Sequence, residues 1–158
     1  MPSTAPSSPL MNPDSSSVLR KTYGDKQAWQ YHIDVWEGGT KGEVMRTRGA
    51  LNIEKADVEA VMKYVQTSAS LGGLFHIDCE LFDKEHGRYT ITKCHALDYF
   101  EKHGDMELLT QACERVCIPY NQRSADWFDP KIKWVPVKLP PRQSKDEPAC
   151  IWDIYLEK

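Results

Sequence analysis

The sequence predicts an α+β fold: an antiparallel four-stranded sheet with helices packed mainly on one face. Three observations carry that expectation. Apolar residues recur at helical spacing before residue 70, two-residue alternation takes over after it, and the predicted order is helix, helix, two strands, helices, two strands. Strands that come in consecutive pairs suit hairpins and an antiparallel sheet, with the amphipathic helices covering its apolar side.

From Asp25 to Glu37, Trp29, Ile33 and Trp36 fall on one helical face, and Gly38-Gly39 is expected to stop that helix. Asn52 reads as the cap of a second helix, whose stripe is Val58, Val61, Met62 and Val65 and which ends before Gly72-Gly73. Leu74 to Phe82 alternates, with Phe75, Ile77, Cys79 and Leu81 on one face and His76, Asp78 and Glu80 on the other. The stretch Asp83-Lys84-Glu85-His86-Gly87 then connects it to a second strand, Arg88 to Cys94, in a hairpin. A helical stretch follows from Leu97 to His103 and again from Met106 to about Val116, interrupted by Gly104-Asp105 and weakened or ended by Pro119. Ile132 to Leu139 is the third strand, and Pro136 confines it to an edge or a bulge. A proline-rich loop from Pro140 to Pro148 leads to the fourth, Cys150 to Leu156.

The chain has 158 residues, enough for one domain, expected over 18–158. Residues 1–17, mostly Pro, Ser, Ala and Thr, read as a disordered leader without a signal-peptide core, so the expected location is the cytoplasm. The net charge is −3 with acids and bases interspersed, which argues against nucleic acid as a partner. No apolar run approaches the roughly 20 residues of a membrane span. No phosphate-binding glycine loop, zinc-protease helix or serine-hydrolase elbow is present, and no cofactor is expected.

Five cysteines, an odd number, argue for reduced thiols over a disulfide framework. Cys94 ends a strand and precedes His95 at a strand-to-helix junction, where the helix dipole favours a thiolate; a nucleophilic cysteine stands there against a small buried hydrophobe. Cys113 and Cys117, four apart, share a helical face, and with Cys94 and Cys150 would be needed together for a metal site, which is not expected. The row His76, Asp78, Glu80 is either a proton-sharing wall or the solvent side of the sheet, the second being favoured. Five tryptophans, Trp29, Trp36, Trp127, Trp134 and Trp152, and seven tyrosines suit an aromatic-walled pocket for a small molecule, or an ordinary core.

Thr92-Lys93-Cys94, Tyr99-Phe100-Glu101-Lys102-His103-Gly104-Asp105, Cys113, Pro140-Pro141 and Cys150-Ile151-Trp152 together resemble the L-2-amino-thiazoline-4-carboxylic acid hydrolase-like family. A more distant likeness is to vinyl-reductase-type ligand-binding domains. The resemblance implies a single α+β domain and a hydrolase-like activity; the leading expectation is a cofactor-independent enzyme acting on a small heterocyclic or polycyclic metabolite, with Cys94 first and His95, Cys113 and Cys150 second as catalytic candidates. Trp29, Trp36, His76, Asp78, Tyr99, Trp127 and Trp152 are the candidate substrate contacts. The alternatives are a cyclase that shapes its substrate without a covalent step, and a ligand-binding module without catalysis.

Overall fold

The computed structural model describes the backbone of residues 13–158 and the side chains of 18–158. Most of the expected leader therefore lies outside the described residues, although its last five residues already belong to a helix. That helix, α1 (Pro13–Tyr23), meets α2 (Asp25–Ala50) at Gly24. Gly38-Gly39 does not stop α2, contrary to expectation. The helix-facing stripe explains why: Trp29, Trp36, Thr40 and Val44 keep packing inward on both sides of the glycines, and tertiary burial outweighs a local cost of about 1 kcal/mol per glycine. A Cβ at either glycine would meet nothing within 4 Å.

Asn52 is not a cap either. It sits at φ 52, in the turn after α2, and Asp57 caps α3 (Val58–Thr67) by accepting the Ala60 N–H at 2.9 Å. The apolar stripe of α3 is as expected, with Val58, Val61, Met62 and Val65 all buried. The following loop folds tightly under the helix. A Cβ on Gly72 would lie 1.9 Å from the Gln66 carbonyl oxygen, so only glycine fits there.

The sheet runs in the order β1-β2-β4-β3, antiparallel throughout. Its strands are β1 (His76–Leu81), β2 (His86–Lys93), β3 (Ile132–Lys138) and β4 (Cys150–Leu156). The hairpin turn is shorter than expected because His86 and Gly87 already pair in β2. As Pro136 requires, β3 is an edge strand, and its register slips between Pro136 and Lys138. One face is buried under the helices: Tyr89 and Ile91 of β2, Ile132 and Trp134 of β3, and Cys150, Trp152 and Ile154 of β4. The other face carries His76, Asp78 and Glu80, all exposed, and the paired Arg88 and Asp153 at 2.7 and 3.0 Å.

Between β2 and β3 the chain is helical as α4 (His95–His103), α5 (Met106–Ala112) and α6 (Ile118–Asp126). Gly104 ends α4 in the left-handed conformation. Pro119 does not end the segment. Ahead of it, Cys113–Cys117 winds as one wider π turn, in which the Ile118 N–H reaches back five residues to the Cys113 carbonyl. A proline has no N–H to give and its ring crowds the carbonyl four residues earlier. Loosening the turn before it lets Pro119 sit in the first turn of α6, where the missing donor costs nothing.

Candidate functional site

A hollow lies between the buried face of the sheet and the helices above it. Its interior volume is about 80 Å³, opening toward a mouth beside Trp36 and Tyr120. Its floor is Tyr89 and Ile91 from β2 and Cys150 and Trp152 from β4. Register explains this floor, since Tyr89 is paired with Trp152 and Ile91 with Cys150 across the β2–β4 ladder. The two rings stack at 6.3 Å with 2° between their planes.

The π turn forms the roof. By adding a residue to one turn it brings Cys113, Val116 and Cys117 to the hollow, followed by Tyr120 and Asn121 of α6. Such turns recur at functional sites in helices. Trp36 of α2 closes one side, and its ring meets that of Tyr120 edge-on at 5.3 Å. The proline-rich loop closes another with Leu139, Pro140 and Ala149. Arg142 straps that loop to α4 through two 2.7 Å hydrogen bonds to Glu101 and one of 3.2 Å to Asp98. The bonded guanidinium holds the Glu101 carboxyl below its ordinary value.

Cys94, Cys113 and Cys150 all line this hollow, together with Cys117, Trp36 and Trp152. The remaining candidates are elsewhere. His95 is exposed on the first turn of α4, and Tyr99 stacks on His103 at 4.0 Å. Trp29 belongs to the core beneath α2, with the Arg115 guanidinium over its ring, and Trp127 carries Lys41 over its ring at 4.8 Å. His76 and Asp78 point to the open side of the sheet.

Three of the four thiols are held protonated, with Cys117 the exception. Burial pushes Cys94 up to about 11, against the partial opposition of the Leu97 and Ala96 amides at the start of α4. Burial likewise pushes Cys150 up to about 12, while the Trp152 indole N–H, donating to its Sγ at 3.1 Å, works the other way. Cys113 and Cys117 are free thiols: the side-chain hydrogen bond to Cys117, and then burial, drives Cys113 far up. Cys117 is the easier of the two to ionise because Cys113 can donate to its sulfur. No group of three or more metal-ligating side chains is found among the described residues.

The polar atoms of the site come from residues that sequence reasoning did not single out. At the mouth, the Tyr120 hydroxyl donates to Glu43 at 3.0 Å, contacts Ser70 Oγ, and lies 3.1 Å from the Tyr64 hydroxyl. Glu43 also accepts the Ser70 N–H at 2.8 Å. Trp36, Ser70 and Tyr120 line both the inner hollow and an outer cleft that includes Glu43 and Arg46, so they form the partition between the two. On the floor, the Tyr89 hydroxyl accepts from Asn121 Nδ2 and from Trp134 Nε1, both at 3.1 Å. Tyr89 stands in an alternating strand, and a tyrosine on a wholly buried face needs a polar partner, which is the signal the sequence carries for it.

No protein-family model, curated protein or solved structure matches the chain. The fold class rests on the coordinates alone, and no helix of the described residues is long and apolar enough to cross a membrane.

Proposed function

We propose that this chain binds a small, largely apolar molecule in the hollow between the sheet and the π turn. The observation that carries the reading is the enclosure itself: an internal space walled by aliphatic, aromatic and sulfur-bearing side chains, with no charged residue among those lining it. Packed interiors leave few voids larger than a water molecule, and empty volume costs stability, so a retained hollow of this kind calls for an occupant. The inner 80 Å³ is about half the roughly 150 Å³ that holds benzene in an engineered apolar cavity. A ring-sized guest would therefore extend toward the mouth beside Trp36 and Tyr120.

Covalent catalysis by Cys94 finds less support. A thiol at about 11 is ionised to only about one part in a thousand at pH 8. His95, the neighbouring candidate base, is exposed outside the hollow. Noncovalent cyclisation is the second reading, favoured by the aromatic walls of Trp36 and Trp152, which would hold a flexible substrate in one conformer. The hydrolase-like resemblance is kept as a source of substrate candidates, small heterocycles first.

The test uses fluorobenzene as the probe, followed by its fluorine resonance. Wild-type protein should give a saturable shift, and Ala149→Leu, which places three more carbons in the hollow, should lose it while keeping its circular dichroism. Equal binding by both proteins, or none by the wild type, would sink the reading.

A further inference from the structure

The floor of the hollow holds a small polar assembly whose hydrogen-bond count does not close. The Tyr89 oxygen accepts from Trp134 Nε1 and is joined to the Asn121 side chain, each at 3.1 Å. Tyr89 is wholly buried and Asn121 is 3% exposed, and both line the hollow. A phenol oxygen has one hydrogen and two acceptor sites, and a primary amide has two hydrogens and one oxygen.

Two orientations of the Asn121 amide are open. With the nitrogen on the phenol, both acceptor sites of Tyr89 are filled, and the phenol hydrogen, the second amide hydrogen and the amide oxygen are left over. With the amide turned, the phenol donates to the Asn121 oxygen and both amide hydrogens are left over. Either way at least one donor remains unused, because the only described partners of the Asn121 side chain and the Tyr89 hydroxyl are each other and Trp134. The Cys117 and Cys150 thiols share the lining of the hollow with the phenol, and thiols accept poorly. An unpaired donor in an apolar enclosure is costly, and groups of this kind are normally met by something.

We infer that the Tyr89–Asn121 pair is the recognition point for a neutral carbonyl group on the guest. The conclusion rests on the guest-binding reading above and specifies its chemistry. The guest needs an acceptor atom, since two spare donors are what both amide orientations have in common. It is uncharged, because no lysine, arginine, histidine or acid lines the hollow to balance a charge in a low-dielectric setting. Ketones, lactones, esters and quinones have that combination of an apolar body and one strong acceptor. Trp134, which does not itself line the hollow, holds the phenol oxygen at 3.1 Å, so the pair is positioned before binding. The Ser70 and Tyr120 hydroxyls do not compete for the carbonyl, being engaged with Glu43 and with each other.

The experiment compares cyclohexanone with methylenecyclohexane, which has the same outline without the oxygen. Affinities of both are measured for the wild type and for the double variant Tyr89→Phe/Asn121→Leu, which removes the spare donor in either amide orientation. The ketone-to-hydrocarbon affinity ratio should fall about ten-fold in the variant, equivalent to about 1.4 kcal/mol. Independently of any variant, the carbonyl stretch of isotope-labelled cyclohexanone bound to the wild type should lie below its frequency in hexane. If both compounds bind but the stretch stays at its hexane value, or the ratio does not change, the carbonyl assignment is overturned and guest binding stands. If neither binds, guest binding itself fails and the assignment falls with it. Should the double variant not fold, the wild-type infrared measurement decides alone.

Discussion

The floor and the roof of the hollow are built differently. The floor is part of a hydrogen-bonded ladder in the middle of the sheet, where β2 and β4 each have a neighbour on both sides. The roof is a single wider helical turn, and its surroundings are tied down by side chains: Tyr120 to Glu43 and Ser70 on one side, Arg142 to Glu101 on the other. Breaking the floor requires opening the sheet, whereas loosening the roof requires only a few side-chain bonds near the surface. A guest of the kind proposed would reach this hollow by local movement above it, while the contacts below stay fixed.

Substitutions should separate the two regions by size of effect. The largest is expected in the floor. Trp152 is 2% exposed, and Trp152→Ala should cost about 3–5 kcal/mol in urea unfolding, with a global loss of cooperativity or folding. Next is Tyr120→Phe at the partition, which leaves Glu43 and Tyr64 short of a partner. Its expected cost is about 1–3 kcal/mol, accompanied by faster exchange of bound fluorobenzene in line-shape measurements. A loss of stability without any change in exchange would contradict the partition role.

The smallest effect is expected from Arg142→Gln, about 1 kcal/mol: the Arg142 side chain is 7% exposed, but Glu101 and Asp98 keep 24% and 43%, so water reaches the carboxylates left behind. Its signature is pH. The folded Glu101 carboxyl titrates below its ordinary value of 4.5. The strap's contribution is therefore complete above that value and disappears as pH falls through the lowered one. Wild type and variant should differ by a constant amount at neutral pH and converge in acid; a difference that grows on acidification would break the comparison.

The floor was legible in the sequence and much of the roof was not. Two-residue alternation is read directly, so β4 was bounded to the residue, and Pro136 located the edge strand because a missing N–H cannot be hidden in a central one. Cys94, Cys113 and Cys150 were singled out and do lie on one hollow, although their spacing alone could not say so. Asn121 and Tyr120 were out of view for a physical reason: Pro119 reads locally as the end of a helix, and the compensating π turn is a matter of tertiary packing. The same holds for Gly38-Gly39, where the rule for ending helices is sound but the stripe through Trp36, Thr40 and Val44 overrides it.

The wide turn at Cys113–Cys117 makes the segment after it a phase-shifted continuation of the segment before. Winding the same residues as a regular α-helix, with none absorbed by the wide turn, would swing every later position round the axis by about 100°. Positions 120 and 121 would then leave the interior chamber with their hydroxyl and amide, even though neither had been altered. The chamber's chemistry is thus set by a count of residues as much as by their kinds.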